Sequence, residues 1–191
     1  MKIHKMTFFI ISLFILVSCS SKTIGEPDIS EQVYDELGEG VVIPEFENYP
    51  MVFAIIQMPP IGNSKKLTIV YAEERGEIIE DFSDPAVIQA YEKETNSKFL
   101  YGVYEGKTVL EYTYIEDGGI SFSNGKTMVL NGKTIEYVEK KNDKNEFLFV
   151  ALNYEGAAYS FTFNLSEEFV QEAAFKIVES VINEVDNELD S

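Results

Sequence analysis

The sequence predicts an α+β domain in which an antiparallel sheet is covered on one face by a long C-terminal helix, with a shorter helix near 85–96. Three observations predict it. Tyr159, Phe161 and Phe163 alternate with Ser160, Thr162 and Asn164, the two-residue period of a strand wet on one side. Turn signals follow one another at Asp117-Gly118-Gly119, Asn124-Gly125 and Asn131-Gly132, as between the strands of a meander. Val170, Ala174, Ile177, Val181 and Val185 then form a helical stripe opposite Gln171, Glu172, Lys176, Glu179 and Asn183.

The chain opens with two lysines, Lys2 and Lys5, and an apolar run from Met6 to Val17. That run is too short to span the ~30 Å hydrocarbon core, which needs about 20 residues, and has the length of a secretory signal core. It ends in Leu16-Val17-Ser18-Cys19, which resembles the bacterial lipobox. The resemblance implies that Cys19 receives a diacylglyceryl group and that lipoprotein signal peptidase cuts between Ser18 and Cys19. Two acyl chains suffice for stable anchoring where one does not. The expected organisation is a signal peptide over 1–18, an acidic flexible tether over 19–40, one α+β domain over 41–186 and a tail over 187–191. Within the tether Ile29, Val33 and Leu37 keep a helical spacing, so a short helix is allowed there.

The domain begins with Met51 to Met58, nearly all apolar, as in a strand buried on both faces. Pro59-Pro60 ends it, and Leu67, Ile69 and Tyr71 alternate in a second strand. Arg75-Gly76 turns the chain. Asp84-Pro85 starts a helix, Asp as N-cap and Pro at the first position, with Val87, Ile88 and Tyr91 on one face and an end near Asn96. Strands follow at Phe99 to Tyr104, through Leu110, Tyr112 and Tyr114, and through Ile135 and Tyr137. Asn142-Asp143-Lys144-Asn145 is a further turn, and Phe147 to Leu152 reads as a central strand. Ser166 reads as the N-cap of the last helix, with Glu167 and Glu168 at the positive end of its dipole.

Composition narrows the chemistry. The chain of 191 residues has 33 acids against 15 bases, a formal charge of −18, one Cys, one His and one Arg, Arg75. Cleavage before Cys19 removes two lysines, no acid and the single histidine, His4, taking the charge from −18 to −20. An acidic chain with one arginine lacks the basic face that nucleic acid requires. One cysteine excludes an internal disulfide, and a chain without histidine or free thiol holds neither a Ser-His-Asp triad, nor a Cys-His pair, nor a His-ligated metal. No catalytic residue, metal ligand or cofactor is assigned.

An ordered pattern also carries a resemblance. Ile43-Pro44 to Tyr49-Pro50 precedes the first strands, and a turn and strand follow at Asn131-Gly132-Lys133-Thr134-Ile135. Glu155-Gly156 leads into Tyr159-Ser160-Phe161, and an amphipathic helix runs to Glu179-Ser180-Val181. This is similar to a family of bacterial extracytoplasmic domains of unknown function, found in lipoproteins and at the outer ends of anti-sigma-type membrane proteins. The resemblance implies a curved antiparallel sheet with the C-terminal helix on its concave side. It also implies kinship in shape with periplasmic lipoprotein carriers and with regulators that bind anti-sigma factors. It offers no catalytic residue.

The expected function is a non-enzymatic binding or sensing module, held on the extracytoplasmic face of the cell membrane by the Cys19 lipid, with a protein or an apolar ligand as partner. Two other readings compete. A cell-wall hydrolase would need two close carboxylates, Glu111 with Glu136 or Glu73 with Glu80, about 5–9.5 Å apart. A divalent-cation protein would draw on Glu73-Glu74, Glu80-Asp81 or Asp143-x-Asn145, none of which matches a calcium loop.

Overall fold

A computed structural model of the chain describes residues 28–59 and 64–189. The signal peptide, Ser18 and Cys19 lie outside the described residues. Eight antiparallel strands make one open, curved sheet: β1 (Met51–Gln57), β2 (Lys66–Ala72), β3 (Ser97–Val103), β4 (Thr108–Glu116), β5 (Lys126–Leu130), β6 (Lys133–Lys141), β7 (Glu146–Tyr154) and β8 (Ala157–Leu165). Their order across the sheet is β3-β1-β2-β4-β8-β7-β6-β5. The meander proper is β5 to β8. Strands β1 and β2 are adjacent, whereas β3 and β4 are reached by crossovers, and β4 meets the meander through β8, with Leu110, Tyr112 and Tyr114 opposite Phe163, Phe161 and Tyr159.

Three helices complete the fold: α1 (Ser30–Leu37), α2 (Pro85–Thr95) and α3 (Gln171–Leu189). Both α1 and α3 join the core on one sheet face. Ala174, Val178, Val181, Ile182 and Val185 of α3 are buried with Ile135, Leu148, Val150, Phe161 and Phe163. The other face is covered at one end, where Phe82 and Tyr91, beside and on α2, meet Phe99 of β3, which in turn meets Phe53 of β1 at a centroid distance of 5.7 Å. This explains why β1 reads apolar on both faces. Asp84 caps α2 as expected, its carboxylate accepting from the Ala86 amide at 2.8 Å, and Asn96 closes the helix in a left-handed conformation.

Four expectations are corrected. The tether does not extend to residue 40: Ile29, Val33 and Leu37 are buried in the core, so the folded domain begins by Ile29. Their spacing puts all three on one face of α1, and the sheet supplies the surface that this face covers. Gly38, with φ +82°, then ends α1 by donating to the Tyr34 carbonyl. Val170 is not part of the buried stripe; it is 49% exposed, and its carbonyl receives the first bonds of α3. The Ser166 hydroxyl closes a separate turn before the helix, accepting from the Phe169 amide at 3.0 Å. Of the two Asn-Gly pairs, only Asn131-Gly132 has both φ values positive, +45° and +80°, and joins β5 to β6 as a type I′ turn. Asn124-Gly125 ends the crossover from β4 instead. A Cβ at Gly125 would stand 2.1 Å from Glu136 Oε1.

Candidate functional site: an acidic groove beside the first helix

The chain from Gly38 to Pro44 crosses the helical face of the sheet between α1 and α3. Two buried phenols hold it there. Tyr112 of β4 donates to the Val42 carbonyl at 2.7 Å, and Tyr71 of β2 donates to the Pro44 carbonyl at 2.5 Å. Burial, followed by the electrostatics of neighbouring tyrosines, pushes the Tyr112 hydroxyl well above its ordinary pKa, so it remains a donor. Phe46 packs edge-on against the Tyr71 ring at 4.8 Å. At the far end of α1, Glu36 is clamped by Lys98 at 3.0 Å and Lys65 at 3.4 Å. The Lys98 hydrogen bond leads in holding the Glu36 carboxyl below the usual carboxylate range, against a smaller opposing effect of burial.

These contacts fix one wall of a groove of about 830 Å³ between α1, the 38–43 segment and the last turns of α3. Val33, Val41, Val42 and Ile43 give it apolar surface. Tyr34 stands in it 55% exposed. Among the described residues its charged lining groups are Glu31, Glu39, Glu184 and Glu188. Glu184 is an exposed residue whose carboxyl is raised above its ordinary value by partial desolvation; the Ser180 hydroxyl opposes that shift, and the charge of Glu45 adds to it.

The residues singled out for chemistry do not converge in this way. Glu111 and Glu136 share the opposite sheet face, but β8 and β7 lie between their strands. Three strand spacings of ~4.8 Å separate them by at least roughly 14 Å, beyond the glycosidase range. Glu136 accepts from the Phe122 amide at 2.8 Å and so anchors the crossover loop. Glu73 pairs with Lys107 at 2.6 Å, and Glu80 opens the 3₁₀ turn Glu80–Phe82. Asp143 lies in the β6–β7 turn, which Asn142 closes by accepting from the Lys144 and Asn145 amides. Among the described residues, no three Asp, Glu, His or Cys side chains gather as a metal would require. No described helix is long and apolar enough to cross a membrane.

Sequence reasoning did not find the groove. Its signals were present: the apolar triplet Val41-Val42-Ile43 between Gly40 and Pro44, next to the Ile29, Val33, Leu37 stripe. What joins them to the end of α3 is a contact across more than 140 positions of chain, which no local pattern carries. Compared with family models, with curated proteins and with solved structures, the chain matches none.

Proposed function

We propose that this protein is a lipid-anchored extracytoplasmic binding module with no chemistry of its own, tethered through Cys19 and presenting the α1–α3 groove to a partner. The observation that carries the reading is that groove. It is concave, apolar at its base, polar at its rim and about 830 Å³ in volume, within the usual 300–1,000 Å³ range of ligand sites. The resemblance to lipoprotein and anti-sigma-associated domains agrees with a role in recognition. With α1 in the core, only residues 20–28 separate Cys19 from the folded domain, a reach of at most about 30 Å. The groove, lined in part by Ser30, would therefore work close to the bilayer.

The test is Cys19→Ala, followed by membrane fractionation and mass analysis of the N-terminus. The wild type is expected at the membrane with acyl mass on Cys19, and the variant folded but released or left uncut. A wild type without acyl mass, or a variant processed and retained as before, overturns the reading.

A further inference from the structure

We propose that β5, one edge of the sheet, takes an extended acidic segment of a partner protein as an added strand. The two edges of the sheet are finished differently. At β3 the chain covers its own edge. The Ile79 amide donates to the Val103 carbonyl at 2.8 Å, Ile78 bridges to Tyr104, and the Glu92 carboxylate accepts from the Phe99 amide at 2.8 Å. At β5, among the described residues, no strand lies on the far side. Its ladder to β6 is regular from Lys126–Tyr137 to Leu130–Lys133, without the bulge or proline that blunts many edges. The two-residue turn sets Leu130 and Lys133 as a bonded pair. Antiparallel alternation then turns the N–H and C=O groups of Thr127 and Val129 away from β6. Both residues are exposed.

Side chains on both faces of β5 are left for such a strand to cover. Val129 on one face is 65% exposed, more than any other large apolar residue described. On the other face Met128 is only partly buried against the core, as are Tyr137 of β6 and Phe175 of α3, whose rings meet at 5.4 Å. A strand paired with β5 sets alternate side chains over both faces. Charge selects the residues that flank them. Positions 126–144 hold five of the chain's 15 bases and three of its 33 acids, the reverse of the balance elsewhere. Lys126, at the edge itself, stays largely exposed with Glu139 at 3.2 Å, and Lys140 lies over the Phe149 ring at 5.4 Å. Carboxylates on the added strand meet this basic stretch. A second copy would instead bring its own lysines and an overall charge of −18. The edge site does not depend on the α1–α3 groove.

The experiment uses the full-length chain in non-ionic detergent, with fluorescence anisotropy for binding and residue-resolved amide exchange for its place. The probe is a short fluorescent peptide of alternating valine and threonine flanked by glutamates, compared with its lysine-flanked counterpart. The glutamate peptide is expected to bind more tightly and to slow exchange at the Thr127 and Val129 amides. Val129→Pro removes one outward N–H at an edge position, where proline is tolerated, and should weaken binding about tenfold. Val129→Glu leaves the backbone whole, keeps the test open if the proline variant unfolds, and should also weaken the glutamate peptide. Val87→Glu makes the same charge change on α2 and should leave binding unchanged. Equal loss in Val129→Glu and Val87→Glu assigns binding to overall charge and overturns the proposal. So does binding that leaves exchange at Thr127 and Val129 as it was, or no binding of either peptide. Equal binding of both peptides, with those amides slowed, overturns the acidic occupant. Slowing that appears without peptide and grows with protein concentration gives the edge to a second copy, and overturns the partner strand.

Discussion

Single polar atoms decide where the groove lies. The phenol of Tyr112 is fully buried, and its one hydroxyl satisfies the Val42 carbonyl. Tyr112→Phe keeps the ring and leaves that carbonyl without its donor, so a loss of about 1–3 kcal/mol is expected. Denaturant titration checks this, and the loosened 41–43 segment should show in faster amide exchange there than in β6 and β7. Glu36 works through charge, holding α1 to Lys65 and Lys98. Its carboxyl is depressed in the folded state, so its contribution is fully present above the ordinary carboxylate pKa and is lost as pH falls through the depressed value. Glu36→Gln should therefore lower stability at neutral pH and flatten the fall of stability with acid. Melts from neutral pH to below pH 4 measure the slope; an unaltered slope would sink the assignment. None of these partnerships was legible beforehand, because each joins residues far apart in the chain.

At the scale of elements, local pattern was legible wherever one element's periodicity is enough. The strands through Tyr112, Ile135, Phe147 to Leu152 and Phe161 are where alternation or apolar runs put them, and the capped start of α2 follows from Asp84-Pro85. The failures occur where a neighbour decides. Ile29, Val33 and Leu37 have a helical stripe set in acidic, glycine-containing chain, and only the sheet beneath shows that the stripe is buried. Val170 has the spacing of a core residue and the position of a helix start, and position won. Ile29→Ala distinguishes an integral α1 from a tether. In a tether it would cost nothing; buried as it is, with 1% exposure, a loss of about 2–5 kcal/mol is expected. Val181→Asp on α3 should cost roughly 3–5 kcal/mol, since it leaves a charge unpaired in the core. A thermal melt unchanged by either substitution contradicts the packing described.

At the scale of the whole molecule, the sheet is two contiguous stretches of chain laid edge to edge. Strands β1 to β4 fall within 51–116, strands β5 to β8 within 126–165, and one ladder, β4 with β8, joins the four-stranded halves. Four strands with an apolar face and a helix to cover it meet the size at which a sheet stands by itself. The join pairs residues as distant as Leu110 and Phe163, so it closes against a larger loss of chain freedom than any hairpin. Until it closes, each half shows an apolar edge, and the two edges match each other in any two copies. The nine residues between β4 and β5 are the only backbone that keeps the exchange within one molecule. Refolding at high concentration should therefore yield a dimer in which each chain's second half completes the other's first, while dilute refolding yields monomer. Size-exclusion chromatography of the two preparations reads the result, and a monomer at every concentration would show that the seam closes faster than two chains meet. The continuity that makes one sheet of eight strands is thus also the place where two molecules can trade halves.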